Sequence, residues 1–253
     1  TVIITGPYYK TTAVLENVMP HIDFPYPNKE EIKNALYVVV NGALTSVVGL
    51  EKKTQAVEKQ LVSSVSGLTL GEAQSAFSKS LVVHRDWNLG TIYEQKKEII
   101  RKSGVLDFYE NTIGLNDVGG LKNLINWINI RKSCFSEEAE QYGIEKPRGL
   151  LTIGMPGCGK SLVCKAIAGA WQMPLLRLDF GKLFNSLVGE SEATARSALK
   201  RAESIAPCVL WIDEIEKGVS GVASSGKTDS GTTSRVLSTF LTWMQEKTAP
   251  VFV

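Results

Sequence analysis

Gly154-Met155-Pro156-Gly157-Cys158-Gly159-Lys160-Ser161 decides how this chain is read. The octet is Gly, four residues, then Gly-Lys-Ser. An apolar run, Leu150 to Ile153, leads into it, and a helical pattern, Leu162 to Trp171, leads out. The predicted order is therefore strand, tight loop, helix, the context that makes such a loop a phosphate cradle. Glycine lets the backbone turn through positive φ and close around an anion. Successive backbone groups from Pro156, Gly157, Cys158, Gly159, Lys160, Ser161 and Leu162 would then wrap a phosphate chain, helped by the positive end of the helix dipole. Lys160 would bring a mobile positive charge to the outer phosphates, and Ser161 would offer its hydroxyl to Mg²⁺. The expected ligand is a nucleoside triphosphate with its metal.

The totals bound the remaining possibilities. At 253 residues the chain is long enough for two domains. Its 43% hydrophobic and 21% charged residues are the balance of a soluble globular protein. A net charge of +2 gives no electrostatic case for nucleic acid or an acidic membrane surface. Cys134, Cys158, Cys164 and Cys208 form no CxxC pair, and His21 and His84 lie far apart, which argues against a structural zinc site and for a reducing compartment. The most membrane-like stretch, Ala35 to Leu50, is broken by Asn41, Thr45 and Ser46. It also falls short of the roughly 20 apolar residues that a spanning helix needs, so no membrane span is expected. Thr1 to Thr5 and Pro250 to Val253 both read as strands, as though a longer chain had been cut through a sheet at each end.

Between the first strand and the loop, the pattern is helical. Ile22-Asp23-Phe24-Pro25-Tyr26-Pro27 forbids helix through its prolines. Asn28 is a candidate N-cap, with Glu30 and Glu31 in the first turn of a helix reaching about Val40. Val57 to Val65 has helical spacing and stops at Gly67. Thr69 and Glu72 have the spacing of a capping box for the next helix. Leu81 to Asn88 reads as a break, Thr91 to Ser103 as a charged helix, and Val105 to Asn111 as a junction.

Beyond the loop, Pro174 to Asp179 alternates apolar and polar residues and reads as a strand. Ser191 to Ala206 reads as a helix stopped by Pro207. Cys208-Val209-Leu210-Trp211-Ile212-Asp213-Glu214 is a buried strand ending in two carboxylates. Fifty-odd residues after a phosphate loop, that ending carries chemistry. Asp213 would hold Mg²⁺ opposite Ser161, and Glu214 would orient and polarise an attacking water. Gly218 to Ser234 has the composition of a mobile loop, and Val236 to Gln245 is an amphipathic run begun by Arg235.

Leu115-Asn116-Asp117-Val118-Gly119-Gly120-Leu121, the loop at 154–161, Val188-Gly189-Glu190-Ser191-Glu192 and Asp213-Glu214 together resemble the AAA ATPases. The resemblance covers Leu115 to Val253. It implies an α/β fold, a three-layer αβα phosphate-loop core with a parallel sheet, preceded by a mostly helical lid-like domain. Residues 1–108 would be the tail of an earlier AAA-like module, and residues 109–253 the nucleotide-binding core. The resemblance also implies ATP and Mg²⁺ as cofactors, with Lys160, Asp213 and Glu214 as catalytic residues. The backbone at Val118 and Gly119 would meet the base, and Leu187, Val188 and Gly189 would meet a protein substrate in the pore of a homo-oligomeric ring. Nucleic acid is not an expected partner. Over the whole chain, Ile22 to Pro25 and the Cys158-bearing loop are similar to the AAA proteins of plastids and cyanobacteria, which implies plastid stroma or cyanobacterial cytoplasm.

Two departures from the family pattern matter. Leu187 stands where an aromatic residue usually grips the substrate, and the family's sensor residue, arginine finger and lid would lie beyond Val253. Three functions remain open at this point: a protein-remodelling ATPase, a nucleotide-gated scaffold with slow turnover, and a clamp-loader-like ATPase. Cys158 is either a small residue that fits the loop or a thiol whose oxidation hinders nucleotide binding.

Overall fold

A computed structural model describes residues 22, 24–44, 47, 49–102, 104–109, 113–184, 190–215 and 230–253. The expected strand at Thr1 to Thr5, Asp23 of the Ile22–Pro25 phrase, and the loop residues Leu187, Val188 and Gly189 lie outside the described residues.

Four helices come first: α1 (Lys29–Ala43), α2 (Leu50–Ser64), α3 (Leu70–His84) and α4 (Leu89–Arg101). Their starts follow side-chain chemistry. Asn28 accepts from the Glu31 N–H at 2.9 Å while Glu31 reaches back to the Asn28 N–H at 2.8 Å, a reciprocal cap for α1. Thr69 and Glu72 do the same for α3, and Asn88 caps α4 through the Thr91 N–H. α2 begins at Leu50, well before the Val57 expected from spacing. Gly49, at φ +71°, starts it without a side-chain cap, so the sequence carries no cap signal there. Ile32, Leu36, Leu50, Leu61, Phe77 and Ile92 close one apolar core among these helices.

A four-stranded sheet follows: β1 (Leu106–Tyr109), β2 (Leu175–Asp179), β3 (Cys208–Asp213) and β4 (Val251–Phe252), in that spatial order. β2, β3 and β4 run parallel, and β1 is antiparallel on the edge of β2. The reading of Val105 to Asn111 as a junction missed β1, a stretch of only four residues whose alternation is too short to stand out. The apolar run Leu150 to Ile153 also departs from expectation, because it forms no regular strand. Its approach follows β4 through two bonds only, Leu150 N–H to Val253 O at 2.7 Å and Val253 N–H to Arg148 O at 3.1 Å. Leu151 and Ile153 are 71% and 88% exposed, so apolar composition here does not report burial.

The sheet lies between two helical layers. One face meets α7 (Lys160–Trp171) and α5 (Lys122–Lys132), with Val163, Ile167 and Trp171 packed on Leu175, Val209 and Phe252. The other meets α9 (Glu190–Ile205) and α10 (Ser230–Glu246), with Leu199, Ala202 and Phe240 packed among Leu176, Leu210 and Val251. Adjacent strand residues thus serve opposite cores, as the period of two requires. α10 starts at Ser230, so the last residues of the stretch expected as a mobile loop are helical. Short helices α6 (Glu137–Gln141) and α8 (Phe180–Phe184) complete the described α-helices. The αβα core and the preceding helical unit match the fold expected from sequence, except that the sheet is mixed.

α4 binds the helical unit to the sheet. Ile92 and Ile99 belong to the helical core, whereas Ile100 joins the sheet's core. Lys96 between them is 1% exposed, with Nζ 5.3 Å from the centre of the Phe108 ring on β1. Arg201 of α9 donates to Tyr26 Oη at 3.0 Å and lies 3.9 Å from a Glu72 carboxylate oxygen.

Candidate nucleotide site

The loop at 154–161 opens directly into α7. Gly157 and Gly159 both have φ near +83°, and Gly159 is the N-cap of α7 with no side-chain cap bond. A Cβ at either glycine would meet nothing within 4 Å, so conformation rather than space calls for glycine. The first N–H groups of a helix have no partner within it, and with the dipole behind them they suit an anion. Lys160 Nζ donates to the carbonyls of Gly154 at 2.7 Å and Met155 at 2.8 Å, which folds the loop around its own ammonium. Pro156 and Cys158 are exposed, as is Ser161, while Leu162 is half-buried.

Two further segments approach α7. The 3₁₀ turn Leu115–Asp117 packs on α7, followed by buried Val118 and exposed Gly119. Gly169 permits the crossing, since a Cβ there would sit 2.0 Å from the Ile113 carbonyl oxygen. Asp117 fixes the turn by accepting from the Gly114 N–H at 2.8 Å. From the other side comes the end of β3. Asp213 has the parity of Val209 and Trp211 and so belongs to the α7 face. Cys164 of α7 faces it: burial first, then the Asp213 charge, push the Cys164 thiol up to about 11. Lys160 and Ser161 lie one turn before Cys164, so the N-terminal end of α7 points toward the end of the sheet where β3 terminates. Glu214 follows Asp213 with φ +58°, a left-handed conformation that costs a non-glycine residue of order 1–3 kcal/mol and is concentrated at functional sites.

The sequence reading missed the residues that surround Asp213. Arg177 of β2 donates from Nη2 to Asp213 Oδ2 at 2.8 Å. Its guanidinium lies 5.0 Å from the Trp211 ring centre. Burial lowers its pKa, but hydrogen bonds to Tyr109 and Asp213 outweigh this, so it is held above the usual arginine value. Arg177 Nε is buried with no hydrogen-bond partner among the described residues. The available signal was the parity of Arg177 and Asp179, two polar residues on the α7 face of a short apolar strand.

Ser161 and Asp213 supply a hydroxyl and a carboxylate, hard oxygen donors of the kind Mg²⁺ takes alongside water and phosphate oxygens. Among the described residues, no group of three or more His, Cys, Asp or Glu side chains gathers to hold a metal alone. The fit is to a metal shared with a bound phosphate chain. No helix among the described residues is long and apolar enough to cross a membrane.

Comparison with known proteins agrees with this geometry. Residues 150–253 match the family described as ATPase family associated with various cellular activities (AAA). The chain carries an AAA domain. Residues 30–103, the helical unit before that AAA domain, match the second domain of SpoVK-like AAA ATPases. The chain is 40% identical over 235 residues to an uncharacterized AAA domain-containing protein, ycf46, of Guillardia theta, covering 92% of this chain and 45% of that one. It is 41% identical over 242 residues to ycf46 of Pyropia yezoensis, covering 94% and 48%. An ATPase family protein 2 homolog of Caenorhabditis elegans is 32% identical over 181 residues, covering 70% and 25%. The chain thus spans about half the length of the ycf46 relatives it matches.

Proposed function

We propose that the AAA domain binds ATP with Mg²⁺ and hydrolyses it, and that the whole protein uses the cycle to remodel a protein partner. What supports this reading is that the positive-φ loop at 157–159 opens α7, and that α7 packs on the face of β3 to which Asp213 belongs. Lys160 and the amides at the start of α7 would hold the β- and γ-phosphates. Ser161 and Asp213 would hold Mg²⁺, whose charge, when bound, neutralises the phosphoryl oxygens. Glu214 would accept a proton from the attacking water through its carboxylate and hold that water in line. Val118 and Gly119, on the segment crossing α7, would meet the base.

The same reading places residues 1–108 as the tail of an earlier AAA-like module and residues 109–253 as the nucleotide core. β1 runs across that border and pairs with β2, so the core is better begun at Leu106. The match of residues 30–103 to the second domain of SpoVK-like AAA ATPases supports placing the helical unit within an AAA-type protein. A homo-oligomeric ring, a protein substrate held at Leu187 to Gly189, and a plastid-stroma or cyanobacterial setting follow from the family resemblance. The algal relatives support that setting.

The test is ATP turnover by the full protein with unfolded protein or duplex DNA added. Turnover raised by unfolded protein and indifferent to DNA is expected. Stimulation by DNA would contradict the partner class, and absence of turnover in every condition would contradict the enzyme reading. Replacing Lys160 by Ala should remove ATP binding, read by calorimetry.

A further inference from the structure

Asp213 is held by a residue that no part of the phosphate loop supplies. Arg177 Nη2 lies 2.8 Å from Asp213 Oδ2, its guanidinium stands 5.0 Å from the Trp211 ring centre, and Tyr109 is close enough to raise its pKa. Tyr109 is set in turn. Its ring centre is 6.2 Å from that of Trp211, and Lys165 Nζ of α7 lies 5.6 Å from it. The chain of contacts runs β1, β2, β3, and β1 follows α4 of the helical unit with only a short turn between.

Stability is a poor account of this arrangement. Arg177 and Asp213 side chains are 27% and 33% exposed, and ion pairs near the surface contribute little. Holding Arg177 there also leaves Nε buried without a partner among the described residues, which costs stability. What the contact does achieve is orientation. A carboxylate on the last residue of a strand has two free torsions, and a planar, permanently charged guanidinium with Trp211 at its face restricts both.

We propose that Arg177 is a positioning residue for the metal-holding carboxylate of Asp213, itself set in place by Tyr109 of β1. The inference rests on the ATP-binding reading above. Outer partners of metal-holding groups are typically worth about 10–100-fold in metal affinity. The opposite role has the opposite sign. A guanidinium that merely competes with a divalent cation would, on removal, strengthen metal binding.

The experiment measures binding of a non-hydrolysable ATP analogue to the full protein, with Mg²⁺ and with EDTA. The proteins compared are wild type, Lys160→Ala, Arg177→Met, Arg177→Lys and Tyr109→Phe. Metal-free binding should match wild type in the Arg177 and Tyr109 variants. The gain in affinity on adding Mg²⁺ should fall about tenfold in Arg177→Met, recover in part in Arg177→Lys, and fall less in Tyr109→Phe. A gain that is unchanged or enlarged in Arg177→Met overturns the proposal. Should Arg177→Met fail to fold by circular dichroism, Arg177→Lys and Tyr109→Phe decide, and wild-type gains in both overturn it. Wild type that binds no nucleotide sinks the ATP reading and this inference together. Wild-type binding that is lost in Lys160→Ala but unaltered in the Arg177 variants sinks the inference alone.

Discussion

Lys96 shows what a single misplaced charge does in this molecule. It is buried between α4 and β1 beside Phe108, and burial, opposed only by the Cys208 thiol, lowers its pKa to about 8. In the unfolded chain a lysine titrates near 10.4. Between these values the unfolded state holds the extra proton, so folding stability rises as pH goes from about 8 to 10.5. Lys96→Met removes the cost of burying the ammonium. The variant should be more stable at pH 7, by up to about 3 kcal/mol, with the difference shrinking above pH 8. Urea unfolding at pH 7 and pH 10 measures it, and a destabilised variant at pH 7 would contradict the account. Neither Lys96 nor Arg177 could be read from sequence as special. A lysine in an amphipathic helix and an arginine in a short strand look like solvated residues until the second element that covers them is known. Lys160, Ser161, Asp213 and Glu214 stand out in the sequence as candidates because their chemistry is local, in the strand end and the loop itself.

At the scale of elements, two glycines show where backbones meet. Gly169 lies inside α7, where Ala would ordinarily favour the helix by about 0.5–1 kcal/mol. Here an added Cβ would sit 2.0 Å from the Ile113 carbonyl oxygen, so the segment leading to Val118 and Gly119 must move. Gly169→Ala should therefore weaken ATP binding while α7 stays helical; unchanged affinity would remove Val118 and Gly119 from the base site. Gly67, at φ +84°, would place a Cβ 2.1 Å from Ile205 Cγ1 of α9. Gly67→Ala combines left-handed strain with overpacking between the helical unit and the core, and should cost at least about 2 kcal/mol in urea unfolding. The longer helices with side-chain caps, α1, α3 and α4, were legible to within a few residues, whereas the five-residue α6 was not, although Ser136 caps it. α2 was not, because Gly49 starts it without a cap, and β1 was not, because its identity comes from pairing with β2 rather than from its own four residues.

On the scale of the whole molecule, the helical unit and the AAA domain share α4, and the contacts of Arg201 with Tyr26 and Glu72 tie them again. The near-neutral charge of +2 predicts turnover with little dependence on added nucleic acid at any salt concentration. The ring proposed above, if each site takes its arginine finger from a neighbouring subunit, predicts that turnover per chain rises with protein concentration until assembly saturates. Constant specific activity over a hundredfold dilution would favour a self-sufficient site. The central claim is that the loop at 154–161 and the end of β3 form one ATPase site, with Glu214 as the base. Glu214→Gln keeps the shape and removes the carboxylate, so parallel measurement of ATP binding and hydrolysis in this variant tests the claim most directly. Binding at wild-type affinity with hydrolysis slowed by roughly a hundredfold or more is expected. Hydrolysis at the wild-type rate would contradict the claim.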